Sequence, residues 1–320
     1  MTSEPLSPSS TQPTASHCAN TLFKSFYPNA NAEAPQNERL AYGHRETIFG
    51  LAFSPDGKYL ASASQDSTVR VWEVRTHRLL ETLGGDADFE CLRVAWCPAI
   101  CDDNNGEQRY LLATAGADGI LRLYSASLQK DKLIWKLVGS KDHYQLLNKT
   151  TQDRPQIYSL QFVPGPSTNY SSTTDWLLMT SADDAIFLWD VQNQDIISHS
   201  ILQFGQLGQN QFGGARNPDN AIYIFDAACN NNSLVAVALS DGTCRVLNLF
   251  KMQEKQCVLS VPEELVGKKG GHLTALAWDS KGERLATCIA CGKVALWNIQ
   301  FHSGTILSSF VAILEGGTSF

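Results

Sequence analysis

The 320-residue sequence contains no long hydrophobic run. Its longest clean apolar stretch, Leu234 to Leu239, is the size of a strand and far below the roughly 18 residues of a membrane-spanning helix. Charge is scarce as well. Asp, Glu, Lys and Arg make up 18 % of the chain, against about 25 % in an average globular domain. The charge that is present leans acidic, 25 Lys and Arg against 32 Asp and Glu, for a formal net charge of −7. That balance argues against the concentrated basic surface needed for generic binding of nucleic acid or anionic membrane. The opening segment, MTSEPLSPSSTQPTASHCAN, has no basic stretch leading into an apolar one, so it does not read as a secretory signal. It lacks Arg and carries Glu4, which is equally unlike a mitochondrial leader. Nine cysteines, an odd number without a signal, do not form a disulfide framework and fit reduced thiols in a cytoplasmic or nuclear protein.

What is present suits strands and turns. Hydrophobic residues reach 43 %, enough for a sizeable core, and the polar load falls on Ser, Thr, Asn, Gln and 23 Gly. Residues 1–20 are rich in Ser, Thr and Pro and read as a disordered tail, and Leu22 to Tyr27 is a short apolar patch. From Gly43 the chain repeats. The clearest unit, Gly43 to Val74, holds an alternating strand (Ile48 to Phe53), a Pro-Asp-Gly turn (Pro55 to Gly57), a second strand (Tyr59 to Ser64), a tight turn at Asp66 and a third strand reaching Trp72. Arg78 to Leu83 supplies a fourth strand. The same grammar recurs, with third-strand anchors at Trp72, Tyr124, Trp189, Leu247 and Trp297. The repeats fall at about 43–87, 88–150, 154–205, 217–262 and 271–320, and together with the patch before them they make one domain from 21 to 320.

These residues resemble the WD-repeat (WD40) family of β-propellers. The resemblance rests on Gly43-His44 and Trp72-Glu73 in the first repeat, Trp189-Asp190 in the third, and Gly271-His272 with Trp297-Asn298 in the fifth. It implies an all-β fold of four-stranded blades around a channel, five of them readable, with six or seven accommodated if others are degenerate or completed by a partner. A small or open ring, a truncated product and completion by a partner all remain open. The resemblance also implies a structural tetrad: His44, Ser62, Asp66 and Trp72 in the first repeat, with the turn aspartate recurring as Asp118, Asp183 and Asp241. Cys291 takes that place in the fifth repeat. This set is read as structural, not as a hydrolase triad.

By the same resemblance the protein is a non-catalytic scaffold or adaptor that binds other proteins, with no cofactor and no metal. Two long connections, Gly139 to Pro155 and Phe204 to Asp219, offer His143, Tyr144, Leu146, Leu147, Phe212 and Arg216 as partner-binding candidates. Two more insertions, Pro98 to Arg109 and Pro164 to Asp175, project from the opposite end. The segment Leu60 to Arg75 resembles the box by which some family members dock on a cullin–RING ligase adaptor, with Arg75 as its key charge. A propeller enzyme or small-molecule binder is the remaining class, and no sequence pair demands it. Cys288-Ile-Ala-Cys291 has no second ligand pair and reads as packed thiols. The sequence has no GxxxxGK[ST], HExxH or GxSxG motif.

Overall fold

The computed structural model describes residues 43–84, 90–102, 108–129, 132–147, 156–165, 176–192, 195–203, 222–231, 233–251, 256–262, 272–302 and 304–315. Its strands form five antiparallel sheets in which neighbours along the chain are neighbours in space. The first sheet joins β1 (Ile48–Phe53), β2 (Tyr59–Ser64), β3 (Thr68–Glu73) and β4 (Arg78–Gly84). The second joins β5 (Cys91–Trp96), β7 (Gln108–Gly116), β8 (Ile120–Gln129) and β9 (Lys132–Asp142), with the short β6 (Cys101–Asp102) pairing with β7. The third is β10 (Ile157–Pro164), β11 (Trp176–Ala182), β12 (Ala185–Gln192) and β13 (Asp195–Gln203). The fourth is β14 (Ile224–Cys229), β15 (Leu234–Leu239), β16 (Thr243–Asn248) and β17 (Cys257–Ser260). The fifth is β18 (Leu273–Trp278), β19 (Arg284–Ile289), β20 (Lys293–His302) and β21 (Thr305–Glu315). The sheets belong to one unit, His44–Phe320. No described helix is long and apolar enough to cross a membrane.

Turn chemistry closes each sheet. Between β1 and β2, Gly57 sits at φ 70° and its N–H reaches the Ser54 carbonyl at 2.9 Å, while the Ser54 hydroxyl donates to Asp56 at 2.7 Å. Between β18 and β19 the same turn recurs, with Gly282 at φ 70° bonded to the Asp279 carbonyl at 3.0 Å. Glycine adopts this left-handed backbone without a Cβ penalty.

Four hydrophobic clusters lie between consecutive sheets, and each joins two unlike faces. One face carries the third-strand anchor; the other is rich in alanine. Between sheets one and two, Ala52, Ala61 and Ala63 meet Trp96, Tyr110 and Tyr124. Between two and three, Ala95, Ala113 and Ala115 meet Phe162, Phe187 and Trp189. Between four and five, Ala236, Ala238 and Cys244 meet Trp278 and Trp297. The third interface is the more aliphatic one, with Met179, Ile186 and Leu188 against Val235, Val237 and Leu247. Each sheet buries the face that its neighbour needs covered, so stability builds with each added blade.

The stack does not cover its own ends. Leu51 and Phe53 on β1 are each 63 % exposed, whereas Val94 and Trp96, at the same positions of β5, are 7 % and 6 %. Among the described residues, the first sheet thus keeps an uncovered apolar face. Other expectations need correction. Gly139 to Pro155 is not one loop, because Gly139–Asp142 completes β9 and His143–Leu146 forms a single helical turn, α1. Within the insertion Pro98 to Arg109, Cys101 and Asp102 pair with Arg109 and Gln108, so its base is a ribbon. The tail 1–20, the patch Leu22 to Tyr27, the connection Phe204 to Asp219 and nearly all of Pro164 to Asp175 lie outside the described residues.

Candidate functional site

The first sheet assembles the expected tetrad. Trp72 Nε1 donates to the Ser62 hydroxyl at 2.9 Å. The Ser62 hydroxyl lies 2.7 Å from His44 Nε2, and His44 Nδ1 lies 2.9 Å from Asp66 Oδ2. A carboxylate only accepts, so Nδ1 carries the His44 proton and Nε2 accepts from Ser62. Asp66 also accepts from the Arg45 N–H at 3.1 Å and from the Thr68 hydroxyl at 2.6 Å. Burial alone would raise the Asp66 pKa, but these donors outweigh it and bring it down to about 2. Burial also lowers the His44 pKa, against the pull of Asp66. The chain of bonds runs one way and ends in a carboxylate, and Ser62 within it is buried at 2 % exposure.

His143 corrects the sequence reading. It is not an exposed loop residue but is fully buried, and it is the histidine of the third sheet. Its Nε2 lies 2.7 Å from the Thr180 hydroxyl, which accepts Trp189 Nε1–H at 2.9 Å. Its Nδ1 lies 3.1 Å from the Gly119 carbonyl in the second sheet, an acceptor where His44 uses Asp66. The ring also contacts Phe187 and Trp189, with centroids 4.5 and 5.1 Å away. Burial drives its pKa down to about 4. The other repeats keep parts of the pattern. Asp118 accepts Arg122 at 2.7 Å and the Ile120 N–H at 3.0 Å. Asp183 adopts φ 52° in the tight turn before β12, and Asp241 accepts both the N–H and the hydroxyl of Thr243. Trp297 keeps its donor bond to Thr287, at 3.2 Å, whereas His272 is exposed and bonds the Ser240 carbonyl.

The innermost strands carry a feature that the repeat reading missed. Each has a register shift at its second residue: Ile48/Gly50, Cys91/Arg93, Ile157/Ser159, Ile224/Asp226 and Leu273/Ala275. The residues set out of register are Phe49, Leu92, Tyr158, Phe225 and Thr274. A bulge of this kind re-aims a side chain and commonly sits at a barrel rim or binding site. Three of the five are aromatic, and the aligned strands show this in the sequence once the second positions are compared. Tyr158 and Phe225 lie 6.5 Å apart between ring centroids, and Phe225 and His272 lie 5.8 Å apart. The positive charge of Arg93 acts on Tyr158, whose phenol burial nevertheless pushes up. Arg93, Tyr158, Phe225 and His272 thus form an arc over four consecutive sheets, and Phe49 is left 40 % exposed on the first.

Beneath the arc the inner strands are cross-bonded. Asp226 accepts the Ser159 hydroxyl at 3.1 Å and, from the fifth sheet, the Leu276 N–H at 2.9 Å. Gln161 donates to the Cys229 carbonyl and accepts its N–H, at 3.2 and 3.0 Å. These bonds hold strand to strand and leave the aromatic rim on a stiff support.

The remaining candidates scatter. Leu146 is exposed on α1 and Leu147 packs onto the second interface. Phe212 and Arg216 lie outside the described residues, as does the Tyr144 side chain. Arg75 is exposed in the turn after β3, at the far end from the bulges. Cys288 pairs with Ala275 and Val294 on β19, and Cys291 is exposed in the next turn. Among the described residues, no cluster of His, Cys, Asp and Glu can hold a metal.

Comparison with known proteins places one repeat directly. The family model described as "WD domain, G-beta repeat" matches residues 37–73. Ribosome biogenesis protein BOP1 homologs from Drosophila erecta, Drosophila sechellia and Drosophila melanogaster are each 40 % identical to this chain over 65 residues. That stretch is 20 % of this chain and only 8 % of each relative. The matched residues span the first sheet through β3, and four further sheets repeat its strand order and its inner-strand bulge. Residues 37–73 thus carry a WD40 repeat, and the five four-stranded sheets are consistent with the blades of a WD40 propeller.

Proposed function

We infer that the chain is a non-catalytic scaffold that binds other proteins at the end of the sheets where the inner strands begin. The arc Arg93–Tyr158–Phe225–His272 carries this reading, because aromatic and Arg side chains on a rigid support are the commonest interface hot spots. His44 and His143 are engaged away from this arc, each in hydrogen bonds within the sheets. The test is affinity purification of the full chain and of its Tyr158→Ala/Phe225→Ala variant, with both folds checked by circular dichroism. A reproducible protein partner lost in the variant is the expected result. No reproducible partner, or one retained unchanged, overturns the reading.

A second reading, receptor for a cullin–RING ligase, draws on the exposure of Arg75 after β3. It predicts that Arg75→Ala abolishes co-purification of the cullin adaptor, and an unchanged pulldown refutes it. The proposed location is the cytoplasm or nucleus. It fits the free state of the seven described cysteines and the ribosome-biogenesis name of the relatives, a name resting here on a match of 65 residues.

A further inference from the structure

We propose that the chain associates head to tail with a second copy of itself, the open face of its fifth sheet seating on the open face of the first sheet of the next molecule. The proposal is independent of the aromatic arc, which lies on the inner-strand rim.

The four interfaces inside the chain share one polarity. An alanine-rich or aliphatic face of each sheet receives the bulky anchor face of the sheet that follows. Among the described residues no sheet covers the anchor face of sheet one, where Leu51 and Phe53 are exposed and the half-buried Leu79 pairs with Trp72. Among the described residues no sheet covers the alanine-rich face of sheet five either. There Ala275 and Ala277 are exposed, Ala286, Cys288, Val294 and Leu296 are half-buried, and Leu314 is 52 % exposed. The positions of Val294 and Leu296 are occupied in the other sheets by Val69 and Val71, Leu121 and Leu123, Ile186 and Leu188, and Cys244 and Val246, all at 2 % exposure or less.

The two bare faces are therefore the two halves of an interface that the chain already builds four times. Small side chains on one match the large side chains on the other, as Ala61 and Ala63 match Trp96 and Tyr110 within the molecule. Both are exposed, so they do not cover each other in a single copy. A second copy offers each face the surface it fits. Such a contact is heterologous and can propagate. A six-residue, four-stranded face measures about 20 Å by about 19 Å, which is below a standard interface of about 800 Å² per partner. The association is therefore weak and rises with concentration.

The test is molar mass by sedimentation velocity over about 5 to about 200 µM, a range that spans micromolar affinities. The wild-type chain is expected to exceed the 35.1 kDa of one copy as concentration rises. Leu51→Glu/Phe53→Glu blocks the first face, and Ala275→Glu/Ala277→Glu blocks the fifth. All four positions are exposed, so folding tolerates the charges. Each variant alone should stay monomeric. Mixed in equal amounts, they should form a two-chain species and nothing larger, because each retains the half that the other lacks. A wild-type chain that is monomeric throughout overturns the proposal. So does self-association retained by either variant alone, or a mixture that stays monomeric.

Discussion

The Nε2 atom of His143 accepts a hydrogen bond from the Thr180 hydroxyl at 2.7 Å, the same length as the bond His44 accepts from Ser62. The two histidines enter from unlike contexts, one just before β1 and the other on α1 after β9. Each nevertheless meets a hydroxyl that also accepts a tryptophan N–H. The chain uses one neutral imidazole geometry twice, with different acceptors behind it.

Acid sensitivity should follow from His143. Its pKa in the fold is about 4, against an ordinary 6.5. Below pH 6.5 the unfolded chain takes up a proton that the native site refuses until about pH 4. Stability therefore falls as pH drops through that window, by about 3 kcal/mol in total for this group. His143→Gln should flatten that part of the curve. Urea midpoints of both proteins, measured from pH 7 to pH 4, check it; equal slopes would contradict the assignment.

Removing Asp66 should loosen the first sheet. Its carboxylate holds His44, the Arg45 N–H and Thr68, so Asp66→Ala leaves several donors unpaired and is expected to cost about 3 kcal/mol. Its folded pKa of about 2 lies below the ordinary 3.8. This contribution is thus complete above pH 3.8 and lost as pH falls toward 2. Denaturation at pH 7 tests the magnitude, and an unchanged midpoint would rule the network out as a stabiliser.

Gly116 should not tolerate a side chain. A Cβ there would lie 2.6 Å from the Glu90 carbonyl oxygen and 3.1 Å from Asp118 Oδ1. The Glu90 carbonyl already accepts the Ala117 N–H at 2.9 Å, so backbone must move, and Gly116→Ala is expected to lose about 2 kcal/mol. Gly43→Ala, with nothing within 4 Å of its Cβ, is the neutral control. Comparable melting temperatures for the two variants would refute the packing argument.

Thiol reactivity should sort by burial. Cys229 and Cys244 are buried and their pKa values are pushed up to about 12, while Cys291 is exposed in a turn. Alkylation of the native protein at pH 8, read by peptide mass spectrometry, should modify Cys291 and spare the other two until denaturant is added. Equal labelling of all three in the native state would contradict the fold around β14 and β16.

Local chemistry made much of this protein legible. Alternation and turn residues locate the first sheet's strands to within a residue, since Ile48–Phe53 and Tyr59–Ser64 are determined by side chains that face one another across one short turn. The first tetrad was readable too, because its four members fall within one repeat. His143 was not. It precedes Thr180 by 37 residues, and the connection from α1 to β10 breaks the spacing that marks His44. The aromatic arc was half-visible: the aromatic second positions stand in the sequence, but only pairing shows that each falls on a bulge.

By itself the sequence determined that the chain is a series of four-stranded units with a shared turn grammar, because periodicity and turn conformation depend on neighbours a few residues apart. Tertiary structure alone decided which histidine completes the third sheet, which aromatic residues share a rim and which apolar faces stay bare. Those outcomes depend on how whole sheets stack. Leu51 and Val94 occupy the same place in the same kind of strand, yet one is 63 % exposed and the other 7 %, because among the described residues only the second has a sheet in front of it.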